Sequence, residues 1–167
     1  MIQNWKKLEQ DVSAHRGELI DRLADFARTD VLLFLSTDKK LLEEQKAKWF
    51  PIVNWANQTV NSDFKPTTSL NVPQVSKDFL KDFKNYITSF SDREMTVFYT
   101  AALDMHSVLL ALALVKGKID AKQAFELSEM EELFQARNWG KEAVAEARRR
   151  AIRDKLQEAH AYLQECV

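Results

Sequence analysis

The chain has 167 residues, a formal net charge of −1, 46% hydrophobic residues and 29% charged ones, a length and balance that suit one soluble domain with a full core. Such a balance excludes the basic excess expected of a nucleic-acid or membrane-surface protein, and three glycines with three prolines leave little room for β-turns or glycine-rich phosphate loops. A lone cysteine, Cys166, can make no internal disulfide and suits a reducing compartment, while MIQNWKKLEQDVSAHR, with Glu9 and Asp11, fits neither a secretory signal nor a transit peptide.

Trp5, Leu8, Val12, Leu19, Ile20, Leu23 and Phe26 repeat at three- and four-residue steps, which predicts one long helix, or two joined near Gly17, ending around Arg28. Asp30 opens DVLLFLS, too brief for a helix and open to reading as a buried strand. Thr37 can cap the next helix, whose inner face would carry Leu41, Leu42, Gln45, Trp49, Val53 and Ala56. Pro51 should kink or split it. The stretch NSDFKPTTSLNVP, residues 61–73, holds two of the three prolines and is the place for a minor β element. From Ser76 a helix follows with Phe79, Leu80, Phe83, Tyr86, Ile87 and Phe90 on one aromatic face.

Residues 91–117, SDREMTVFYTAALDMHSVLLALALVKG, form the expected centre of the molecule. Ser91 and Glu94 make a capping box, and Gly117 stands where a left-handed residue closes a helix, beside Lys116. Between them the second half is apolar nearly all round, the mark of a helix that others enclose. Its apolar run is about half the ~20 residues a bilayer requires, so no membrane insertion is expected. Asp120 with Gln123 caps a further helix carrying Phe125, Met130, Leu133 and Phe134 and stopping near Trp139-Gly140. The last helix runs from about Lys141, with Val144, Ala147, Ala151, Leu156, Ala159 and Leu163 inward and Arg148, Arg149, Arg150 and Arg153 largely outward.

No P-loop, dinucleotide glycine fingerprint or G-x-S-x-G elbow occurs. His15, His106 and His160 stand in none of the patterns that place two metal ligands on one helical face, and His106, beside apolar neighbours, reads as a core or boundary histidine. Neither a metal nor any other cofactor is expected. The triple arginine is interleaved with Glu142, Glu146 and Asp154 and reads as a solvated face rather than a phosphate site. The cluster that remains is Glu126, Glu129, Glu131 and Glu132, followed by Gln135, Arg137 and Asn138. It is either a solubilising face, a docking patch for a basic or polar partner, or, least supported, a carboxylate pair for acid–base chemistry.

Gln45-x-x-x-Trp49-x-Pro51-x-x-x-Trp55-Ala56, then Ser107 to Leu114, Gly117, Ala124-Phe125-Glu126-Leu127-Ser128, Glu131-Glu132-x-x-Gln135-x-x-x-Trp139-Gly140 and Glu146-Ala147-Arg148-Arg149-Arg150 follow one another in order. Together they resemble the α-subunit assembly chaperones of F-type ATP synthase, known in mitochondria as ATP synthase F-one complex assembly factor two. The resemblance implies a helical C-terminal domain with a minor β element that holds the new α subunit without ATP, covering the surface its β subunit later takes. It also implies that Glu131, Glu132 and Gln135 touch the partner, with Trp139 either beside them or in the core. Members usually carry an N-terminal β-rich domain that this chain begins without. Three positions depart from the family pattern: Phe34-Leu35 where Tyr-Arg is common, Leu133 where a third acid follows, and His106 where glycine is common.

The expectation is therefore a mainly α protein, a single helical domain around a buried central helix. Residues 1–28 would be an N-terminal helical segment packed as one unit with a chaperone domain over 29–167. It would be a monomer in a bacterial cytoplasm or mitochondrial matrix, acting by binding and not as an enzyme. A helical adaptor with another client is the alternative. An apolar client surface would draw on Phe50, Phe64, Tyr86 and Phe90, each of which also fits the core.

Overall fold

An apolar run with no polar face has to be enclosed, and the eight residues of Val108–Val115 are all buried. The structure, a computed structural model, describes residues 4–69, 77–140 and 142–165. Among them lie α1 (Trp5–Ala14), α2 (Arg16–Phe26), α3 (Lys39–Val60), α4 (Lys77–Thr88) and α5 (Asp92–Met105). They are followed by α6 (Val108–Val115), α7 (Ala121–Ser128), α8 (Met130–Trp139) and α9 (Ala143–Gln164). Helix α6 is packed by α3, α5, α7 and α9. Short 3-10 turns at Ala27–Thr29 and Val31–Leu33 fill the DVLLFLS region where a strand was open. Among the described residues the β element is a single parallel bridge between Phe34 and Thr67, carried by Leu35 N–H to Thr67 O at 2.8 Å and Thr67 N–H to Leu33 O at 2.9 Å. Part of the expected β stretch, the predicted start at Ser76, Lys141 and Cys166 lie outside the described residues.

The central element differs from the sequence reading in one way: 91–117 is two helices folded back on each other. A continuous helix would set Glu94 and Lys116 about 33 Å apart at 1.5 Å per residue. Instead Lys116 Nζ lies 3.3 Å from Glu94 Oε2. The reversal needs no glycine. His106 closes α5 in the left-handed region with φ 53°, and Ser107 caps α6 by accepting from Leu110 N–H at 3.0 Å. His106 is accordingly an exposed helix-end residue and not a core histidine. Its left-handed backbone is the physical reason a glycine suits this place.

Asp30, fully buried, ties that reversal to the N-terminal third. Its carboxylate accepts from Leu32 N–H at 3.0 Å, from the Ser107 hydroxyl at 2.8 Å and from Leu109 N–H at 2.8 Å. Burial nevertheless pushes its pKa up to about 6, the hydrogen bonds only partly offsetting the desolvation. The expected terminators at the two outer ends of 91–117 form. The Ser91–Glu94 capping box forms, and Gly117 has φ 75° with its N–H on Leu114 O and Lys118 N–H on Ala113 O, a Schellman closure.

Elsewhere the helix starts shift slightly. The first helical stretch is two helices broken at His15, and α3 is capped by Asp38, one residue after Thr37. Pro51 sits exposed within α3, which runs on through it without splitting. The N-terminal pair is fastened by Arg16 to Asp92 at 3.0 Å and to the Thr88 carbonyl at 2.9 Å, and also to the Phe90 carbonyl. Trp5 stacks on Tyr162 of α9 with ring centroids 5.3 Å apart.

Candidate functional site

The predicted helix over 120–139 is broken at Glu129, and the break shapes the candidate site. Asp120 and Gln123 form the expected capping box at the start of α7. At its end Trp49 Nε1 donates to Leu127 O at 2.9 Å, satisfying a terminal carbonyl from the buried face of α3. Glu129 is buried and ion-paired to Arg148 of α9 at 2.8 Å, so one of the four acids of the cluster is a structural pin. The chain then turns into α8, held at its far end by Arg137, whose guanidinium grips both Glu44 oxygens of α3 at 3.1 and 2.9 Å.

Helix α8 buries Met130 alone among its ten residues. It projects, with a cleft on either side. Towards α3 a cleft of about 680 Å³ is lined by Glu44, Lys48, Ile52, Met130 and Leu133 among others. Towards α9 lie two smaller clefts, about 550 and 340 Å³, which share Ala136 and Arg149.

Three of the four residues expected at the site come together. Glu132, Gln135 and Trp139 recur at three- and four-residue steps and line the 340 Å³ cleft. Glu131 lines none of these clefts and is exposed a helical step away. Both acids lie in the first turn of α8, where they also favour the positive helix end. Trp139 is 82% exposed, which removes the core reading of that side chain. Val144, at the start of α9 and expected inward, is 83% exposed. Of the expected apolar surface, Phe64 and Phe90 are buried and Phe50 and Tyr86 half-buried. The large apolar side chains that do meet solvent among the described residues are Leu103, Trp139 and Val144.

Arg149 was expected outward and is buried at 7% exposure, while Ala147 and Ala151 are exposed. The signal lay further along the helix: stepping back from Leu156 through Ile152 arrives at Arg149 and then Ala145. Among the described residues no group of three or more His, Cys, Asp or Glu side chains is placed to hold a metal ion, and no helix is long and apolar enough to cross a membrane.

No protein-family model matches the chain. A mitochondrial protein of Schizosaccharomyces pombe, atp12, is 23% identical over 174 aligned residues, covering 99% of this chain and 57% of its own length. The crystal structure of Atp12 from Paracoccus denitrificans superposes with a TM-score of 0.85 at 24% identity, over 91% of this chain and 66% of that one. A candidate chaperone from Agrobacterium tumefaciens superposes with a TM-score of 0.81 at 21% identity, over 91% and 57% of the two chains. The chain thus spans between about half and two thirds of the length of these relatives. Its likeness to Atp12 proteins, read from residue order, is present in sequence and in fold alike.

Proposed function

We propose that this chain is an assembly chaperone of F-type ATP synthase, one that binds the unassembled α subunit and shields its subunit interface until the hexamer forms. The observation that carries the reading is the match to an Atp12 protein along 99% of the chain. The geometry is in keeping with it: a projecting helix, an exposed tryptophan and a rim of carboxylates form a surface for contact. Such a role needs no chemistry. An apolar anchor competes with aggregation, and the charges around it set partner choice and the speed of encounter. The chain would work as a monomer, without ATP, where the enzyme is assembled: the bacterial cytoplasm or the mitochondrial matrix.

The test is capture of purified α subunit by the purified chain, scored together with suppression of that subunit's aggregation. Success in both supports the reading; failure in both, with a folded protein, sinks it for this chain and favours an adaptor with another client. Changing Glu131 and Glu132 together to Gln should weaken capture while the melting temperature stays within the small range of surface substitutions, about ±0.5 kcal/mol. An equal loss of folding stability would make the two acids helix-end supports for α8 and nothing more.

A further inference from the structure

The groove between α8 and α9 holds a cation that the fold does not use. Arg149 is only 7% exposed, yet its guanidinium makes no hydrogen bond or ion pair with any described residue. A guanidinium carries five donors in a rigid fork; the stem of Arg149 is buried, while its nitrogens, without a partner among the described residues, still reach the solvent of the groove. Its neighbours on α9 are treated differently: Arg148 is paired with Glu129 at 2.8 Å, and Arg153 lies 3.5 Å from Asp154. Arg150, on the same groove wall, makes no hydrogen bond or ion pair with a described residue either.

Arg149 stands where the two α9-side clefts meet. On one side Arg149, Arg150, Arg153 and Arg137 surround an apolar floor of Phe125 and Leu133, with Glu146 the acid on that wall. On the other the groove continues past Ala136 to Gln135 and Trp139, with Glu132 and Glu142 at that end. We propose that this groove binds an acidic segment of a protein partner, a carboxylate seated on Arg149 and an adjacent apolar side chain on Phe125 and Leu133. On the chaperone reading above, that partner is the client.

The planar fork of an arginine matches a carboxylate bidentately, and one with no partner among the described residues is free to donate to it. A free phosphate would use the arginines and leave the apolar floor and the Trp139 end empty. An amphipathic polypeptide uses both. The Arg150–Arg153 end of the groove is opposite in sign to its Glu132–Glu142 end, so a partner segment of mixed charge would be held in one direction.

The probe is a fluorescein-labelled peptide of alternating Glu and Phe residues, with a Gln-for-Glu peptide as control, titrated against the full chain by anisotropy. The Glu peptide should bind at least about tenfold tighter than the control, with that preference lost in R149M and reduced in R150Q. R150Q changes an exposed residue, so it reads the groove even if R149M fails to fold. Equal binding of both peptides, no binding, or an unchanged preference in both variants would overturn the proposal. Displacement by inorganic phosphate at concentrations matching the peptide would reassign the site to a free oxyanion. Capture of purified α subunit separates the two readings. Undiminished capture by R150Q and R149M would place the client off this groove. Absent capture by the unmodified chain, with the Glu preference intact, would remove the chaperone reading and leave the groove with another partner.

Discussion

Asp30 shows how much one side chain can organise when it is buried with three donors converging on it. Its folded pKa of about 6 lies above the ordinary 3.8, so between pH 4 and 6 the native state keeps a proton that the unfolded chain has lost. Stability from this group is therefore fullest below pH 4, falls as the pH rises through that window and is level above 6. Two pK units correspond to about 3 kcal/mol. Denaturant melts of the wild type and D30N should show their stability difference moving by about that amount between pH 4 and 7, against the wild type. A difference that is flat with pH would mean Asp30 titrates alike in both states. Leu109, fully buried in the first turn of α6, is the apolar counterpart. L109A should cost about 2–5 kcal/mol in the same melts, as buried leucine truncations do. A loss below about 0.5 kcal/mol would be that of a surface position. The burial of Leu109 was legible in the all-round apolar run. The role of Asp30 was not, because two of its three partners are 77 and 79 positions away.

Among the helices, termini marked by local chemistry were readable and breaks made by distant contacts were not. Ser91–Glu94, Gly117 and Asp120–Gln123 each carry their signal within four residues, and each forms as expected. The reversal at 106–107 and the break at Glu129 carry neither glycine nor proline; one is fixed by Asp30, the other by Trp49 and Arg148. The outward reading of Arg149 failed because alanines outline a helix face weakly. Its burial turns a presumed solvated stripe into part of a groove. His106 offers a direct test of the reversal. A left-handed backbone costs a residue with a Cβ about 1–2 kcal/mol, and a glycine loses about 0.5–1 kcal/mol more entropy on folding. H106G should thus raise stability by about 0.5–1 kcal/mol in thermal melts. A clear loss instead would show that the imidazole contributes something beyond occupying the turn.

At the level of the whole molecule, a mainly helical fold with one enclosed helix was present in the composition and the apolar run, while the relation between helices was not. Long-range fasteners decide it: Arg16 to the α4–α5 corner, Trp5 to Tyr162, Arg137 to Glu44. Helix α8, tied to α3 by Arg137 and burying Met130 alone, is left projecting, and the candidate site lies there. The enclosure of α6 also has an order in time. Helix α9, the last helix among the described residues, packs against α5, α6 and α7. On the ribosome α3 and α5 precede α6 and can pack on it at once, whereas the faces of this octapeptide that α7 and α9 take stay open until those helices are made. A protein proposed to guard another's unfinished surface would, during its own synthesis, expose an apolar surface of the same kind. Helices α7 and α9 would complete the cover.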